Sequence, residues 1–120
     1  MSVTDSYKAF ILEQLRDAGS IAARRMFGGI GLYLEGTFFG LIDDDVLYFK
    51  VDDTTRPDFE RSGSRPFRPY GEGSYSMQYY EVPADVLEDR SSLKEWTGKA
   101  VAVARSSATA KKKRGPRRDR

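Results

Sequence analysis

The chain is 120 residues long, carries a net charge of +2 and contains neither Cys nor His. That length supports one domain. The two absences exclude disulfides, thiolate chemistry, Cys/His zinc sites and any triad or general base built on imidazole. No apolar run approaches the roughly 20 residues of a membrane span, and the N-terminus lacks the basic-then-apolar order of a signal peptide. A soluble cytoplasmic protein is expected.

The charge is unevenly distributed. Residues 105–120 hold eight basic groups against one acid, whereas the rest of the chain holds 12 basic groups against 17 acidic ones. Two parts are expected: an α+β domain over residues 1–104 and a basic, disordered tail over 105–120, too poor in apolar residues to bury a core.

In chain order, Thr4 to Ala18 predicts an amphipathic helix. Tyr7, Phe10, Ile11, Leu15 and Ala18 recur at three- and four-residue spacing, with Thr4 as N-cap and Gly19 at the C-terminal end. Ile21 is a candidate strand start, and Arg24 and Arg25 stand just before a long apolar stretch. On a strand those two arginines point to opposite faces and do not form one clamp. From Arg24 to Val51, three apolar runs bounded by Glu35-Gly36 and Asp43-Asp44-Asp45 predict a three-stranded antiparallel meander.

Parity in this meander predicts Leu34 opposite Thr37, Leu32 opposite Phe39 and Ile30 opposite Leu41. A three-residue Asp loop then keeps Leu47, Phe49 and Val51 on the same apolar face. Gly31 and Gly40 fall opposite each other on the other face, flanked by Tyr33, Phe38, Tyr48 and Lys50. This is read either as a bulge or as a shallow, aromatic-rimmed notch for a partner. Arg56 to Ser62 predicts a short helix anchored by Phe59, and Pro66 to Tyr70 an edge strand limited by its prolines. Tyr75 to Val82 predicts a strand of undecided parity. Pro83 opens a helical turn. Ser92 to Ala104 predicts the last helix, with a Ser92/Glu95 capping box and a Gly98 that suggests close packing.

The expected fold is α+β: an antiparallel sheet of about five strands with helices on one face. The order is helix, three strands, short helix, two strands, helix. The glycines at 28, 29 and 31 lie inside a strand-like run and do not open a helix, so they do not make a phosphate cradle. Asp43-Asp44-Asp45 and Asp52-Asp53 lack the alternate spacing of a calcium loop and read as turn residues. Tyr70, Tyr75, Tyr79 and Tyr80 with Arg65 and Arg68 suit stacking on single-stranded bases, but sheet packing accounts for them and the acidic body opposes phosphate. Lys111, Lys112, Lys113, Arg114, Arg117 and Arg118 are the candidate non-specific contacts to DNA or RNA.

Arg25-Met26-Phe27-Gly28-Gly29-Ile30-Gly31-Leu32-Tyr33, Leu47-Tyr48-Phe49-Lys50-Val51-Asp52 and Met77-Gln78-Tyr79-Tyr80-Glu81-Val82-Pro83, together with Trp96, resemble the N-terminal domain of the TfoX/Sxy competence regulators. The resemblance runs from the first helix to Ala104. It implies a small α+β domain with an antiparallel sheet, akin to secretion-chaperone-like folds, and a bacterial regulatory role. Full-length members act on competence-gene transcription with the cyclic-AMP receptor protein and carry a second, helical, DNA-related domain. Here the residues after 104 read instead as the basic tail. The resemblance brings no catalytic residues. The expectation is a non-enzymatic regulatory domain that binds protein, the transcription machinery included, with no cofactor or metal and with homodimerisation left open. The alternative is a nucleic-acid-binding module whose main contact is the tail.

Overall fold

The computed structural model describes residues 3–26, 28–68 and 76–117; side chains at 76, 77 and 108–117 are not described. It is a mixed α+β fold built on a six-stranded, wholly antiparallel sheet, β1-β2-β3-β4-β6-β5. The strands are β1 (Ile21–Met26), β2 (Gly29–Leu34), β3 (Thr37–Asp43), β4 (Val46–Lys50), β5 (Pro66–Phe67) and β6 (Ser76–Glu81). The helices are α1 (Asp5–Gln14), α2 (Arg56–Arg61), α3 (Ala84–Leu87) and α4 (Arg90–Arg117).

The run expected to be one strand from Arg24 to Leu34 is two. The chain reverses between Met26 and Gly29, which pair directly, and Gly28 there has φ of +83°. A left-handed residue lets so tight a turn close at no steric cost. The expected three-stranded meander is therefore four-stranded. Met26 consequently lies on the face opposite Ile30 and Leu32, not with them.

The hairpin at Glu35-Gly36 has the expected Leu34–Thr37 pair, but the register then slips. Tyr33 pairs with Phe38 and Leu32 with Gly40, leaving Phe39 as an extra residue. This bulge replaces the expected Leu32–Phe39 and Ile30–Leu41 pairs with Leu32–Gly40 and Ile30–Ile42. Leu41 is half-buried on the other face and Ile42 takes its place in the core. The following turn is also one residue shorter than expected. Asp43 pairs with Val46, and only Asp44 and Asp45 make the loop, at φ of +53° and +57°. The bulge adds one residue and the turn removes one. Phe39 and Phe49 thus end on the same face, in edge-to-face contact with ring centroids 5.7 Å apart.

Gly40 makes that contact possible. A Cβ there would stand 2.7 Å from the Tyr48 carbonyl oxygen and 3.1 Å from the Phe49 ring. The ring lies where a side chain would otherwise be. Over this face sit Ile11 and Leu15 before the first β-strand, Phe59 of α2, Val86 of α3, and Leu93, Ala100, Val101 and Ala104 of α4, all in one core with Phe39, Phe49 and Tyr80.

The helix ends follow local chemistry. The Thr4 hydroxyl accepts from the Tyr7 N–H at 3.2 Å, and Asp45 accepts from the Thr4 N–H and hydroxyl at 2.9 and 3.0 Å. The first helix tightens to 3-10 geometry over Leu15–Ala18 and ends at Gly19. Phe10, expected on the inward stripe, is 41% exposed; Ile11 and Leu15 fill the core instead. The N-terminus of α4 is capped by Asp89, which accepts from Ser91 N–H and Ser92 hydroxyl at 3.1 Å, and not by a Ser92/Glu95 box. Gly98, expected to mark close packing, faces open space. The backbone of α4 continues past 104 and spans Arg90–Arg117.

Two glycines are thus expected to respond oppositely to alanine. Gly40→Ala should destabilise by about 1–3 kcal/mol through overpacking against backbone and ring. Gly98→Ala should stabilise by about 0.5–1 kcal/mol, since it adds helix propensity in open space. Urea midpoints at constant m-value distinguish the two.

Candidate interaction face

The sheet face away from the core is lined by rings. Tyr33 and Phe38, paired across β2 and β3, have centroids 5.2 Å apart, and Phe38 and Tyr79 lie 6.0 Å apart. Tyr48 and Phe67 form a second contact at 4.9 Å. Leu41 lies on this face too, because it pairs with both Gly31 and Tyr48. A cation closes each end of the first row: the Arg24 guanidinium is 5.4 Å from the Tyr33 centroid and the Lys50 ammonium 5.1 Å from that of Tyr79. Tyr33, Phe38, Leu41, Tyr48, Phe67 and Tyr79 are all half-buried, and no helical side chain takes part in these ring contacts.

This arrangement brings together four of the six expected notch residues, Tyr33, Phe38, Tyr48 and Lys50. It does not bring Gly31 and Gly40 together. The bulge turns Gly40 to the core face, where it pairs with Phe49. Gly31 stays on the outer face, but a Cβ there would stand 2.8 Å from the Met26 methyl and 3.1 Å from the Phe38 ring. The protein's own side chains fill the expected notch, so the face is a ridged aromatic surface and not a slot. Leu41, Phe67 and Tyr79 were missed as members of it. The bulge, the pairing Lys50–Tyr79 and the register shift between β5 and β6 decide their side, and none has a local signal.

The other candidates are dispersed. Tyr80 lies in the core, with its hydroxyl donating to Glu60 at 2.8 Å, whereas its neighbour Tyr79 is outside. Arg65 is exposed and Arg68 half-buried; Tyr70 and Tyr75 lie outside the described residues. Lys111, Lys112, Lys113, Arg114 and Arg117 fall on the last turns of α4, where only the backbone is described, and Arg118 lies outside the described residues. Arg105 belongs to the body: it donates to Glu35 at 3.1 Å and to the Thr37 hydroxyl at 3.4 Å, tying α4 to the β2–β3 turn.

The acidic turns have structural partners. Asp52 accepts from the Thr54 hydroxyl at 2.6 Å and from the Thr54 N–H at 2.9 Å, and the hydroxyl bond first of all holds its carboxyl below the ordinary value. Among the described residues no group of three acidic side chains is placed to hold a metal ion, and no helix is long and apolar enough to cross a membrane.

The family model described as the TfoX N-terminal domain matches residues 13–104. The chain belongs to that family. The match spans the last residues of α1, every strand, and α2, α3 and the body-facing half of α4. TfoX N-terminal membership points to a competence-type regulatory domain rather than to an enzyme family. No curated protein matches the chain.

Burial raises the phenol pKa of Tyr48 and Tyr79 on the TfoX-type outer face, aided at Tyr48 by Glu81 and at Tyr79 by Tyr33. Burial likewise raises Tyr7 and Tyr80, with Asp45 and the Glu60 hydrogen bond next in effect. A raised folded-state value means that the native state keeps protons the unfolded chain releases near pH 10. The contribution is complete below about pH 10 and is lost as pH rises through the folded values. Phenolate absorbance should therefore appear at higher pH in the native than in the urea-unfolded protein. Tyr48→Phe and Tyr79→Phe should each remove part of the late-titrating amplitude.

Proposed function

We propose that this domain is a non-enzymatic regulator that acts by binding another protein, the transcription machinery being the class suggested by its family. The observation that carries the reading is the half-exposed aromatic face opposite the helices. Large aromatic and aliphatic side chains left partly in water on a rigid sheet are what anchors of protein interfaces look like. Tyr33, Phe38, Leu41, Tyr48, Phe67 and Tyr79 form that anchor set, and Arg24 and Lys50 frame it. The chain has no His or Cys, and among the described residues the acidic turns are engaged in caps and Asx-type bonds.

The experiment is capture of partners from the native cell by the full chain and by a Phe38→Ala/Tyr79→Ala variant. Loss of a specific partner by the variant, at unchanged melting temperature, supports the reading; an unchanged partner set overturns it. Residues at such a centre typically cost about 2 kcal/mol or more when truncated.

A second reading rests on the basic run Lys111–Arg118. Such a run neutralises phosphates, and phosphate contacts carry no sequence information. Binding to duplex should be indifferent to sequence, with log K falling against log salt at a slope near −5 if about five or six phosphates are neutralised. Removal of residues 111–120 should abolish it and leave the Arg105–Glu35 tie intact. Sequence preference, or binding that survives the truncation, overturns this reading.

A further inference from the structure

The sheet has two edges, and they are unlike. At one, β5 is two residues long and begins with Pro66, a short, proline-bearing edge that resists pairing. At the other, β1 is six residues long, Ile-Ala-Ala-Arg-Arg-Met, with no proline and no described neighbour but β2.

Glu35 and Gly36 form a two-residue loop with φ of +51° and +82°, so the closing pair Leu34–Thr37 exchanges hydrogen bonds and Leu34 looks toward β3. Alternation then turns Tyr33, Gly31 and Gly29 toward β1, where they meet Ala22, Arg24 and Met26. Ile21, Ala23 and Arg25 are left pointing out of the sheet. Among the described residues no backbone group bonds to them from outside β2. Small side chains at Ala22 and Ala23 leave this edge open to another backbone.

Its charge is the second observation. The body is acidic, yet β1 carries Arg24 and Arg25, both exposed, and no described carboxylate lies within ion-pair distance of either. Arg24 points to the outer face, over Tyr33, and Arg25 to the other.

We propose that the β1 edge accepts an extended acidic segment of a partner protein as a seventh strand. The outward N–H and C=O groups of Ile21, Ala23 and Arg25 provide the ladder, and Arg24 and Arg25 select carboxylates on the two faces of the incoming strand. Residues facing Ile21 and Ala23 on the core side would be small and apolar, continuing the half-buried margin formed there with Leu34. This rests on the protein-binding reading and shares Arg24 with the aromatic row, but its ladder lies on the sheet edge and not on that face.

The test is binding of a fluorescein-labelled ten-residue peptide alternating Glu with Val and Thr to the full chain. Controls are the Lys counterpart and oligo-dT of equal charge. The acidic peptide should bind, weaken with salt, and slow amide exchange at Ile21, Ala23 and Arg25. Ala23→Pro removes an outward N–H without touching the β1–β2 ladder and should weaken binding about tenfold or more. Arg24→Glu/Arg25→Glu should transfer preference to the Lys peptide. The exchange measurement on the unaltered chain decides the matter if Ala23→Pro does not fold. Absence of peptide binding at about millimolar concentration overturns the inference, as does equal binding of oligo-dT or full binding by folded Ala23→Pro. Binding that leaves the amides of Ile21, Ala23 and Arg25 unprotected but is lost in Phe38→Ala/Tyr79→Ala overturns the edge while favouring the aromatic face, so the two ideas fail separately.

Discussion

Everything in this domain depends on the Phe49 ring resting where Gly40 has no side chain. The Leu32–Gly40–Phe49 row brings three adjacent strands into register at a point where any Cβ on the middle residue would strike backbone. The bulge at Phe39 sets that row. It turns Phe39 onto Phe49 and makes a contiguous aromatic floor for Ile11, Leu15 and Leu93, all completely buried. The helical layer has one place to sit because that floor has one face.

The same bulge makes the outer surface. By reversing parity along β3 it sends Leu41 outward to join Phe38, Tyr33 and Tyr48, while Ile42 goes inward. The result is a sheet with a dry aromatic and aliphatic core on one side and a half-wet aromatic row on the other. Polar ties hold the layers together around it. Gln14 donates to the Leu87 carbonyl at 2.9 Å, Arg90 reaches Glu13 at 2.6 Å, and Arg105 reaches Glu35 at 3.1 Å. Each is exposed or only partly buried, so each contributes orientation more than stability. The acidic turns are engaged in the same way, one as the support of Thr4 and one as the turn before α2.

Local chemistry made much of the chain legible. Glu35-Gly36 is a two-residue hairpin in the structure as its sequence predicts, since Gly supplies the left-handed conformation the turn needs. Phe59 anchors α2, Pro66 limits β5 to an edge, and Leu93, Ala100 and Ala104 lie on the buried stripe of α4. The residues that carry the resemblance to TfoX lie within the span matched by its N-terminal domain. The aromatic face was half legible: Tyr33, Phe38, Tyr48 and Lys50 share it, whereas Gly40 does not and Tyr79 had been left undecided.

What the sequence determined by itself were the periodicities, the turns closed by Gly or Asp, and the absence of His and Cys chemistry, because these depend on one residue or its near neighbours. What only the tertiary structure decided was parity across strands. The reversal at Gly28, the extra residue at Phe39 and the short Asp44-Asp45 loop each shift the alternation by one position. Two of those shifts cancel, so the expected Phe39–Phe49 face exists for a different reason from the one the spacing suggested. A one-residue slip costs nothing locally and exchanges the two faces of a strand. It is settled by whether Phe49 finds its space at Gly40, and that space is made by a residue nine positions away in the chain.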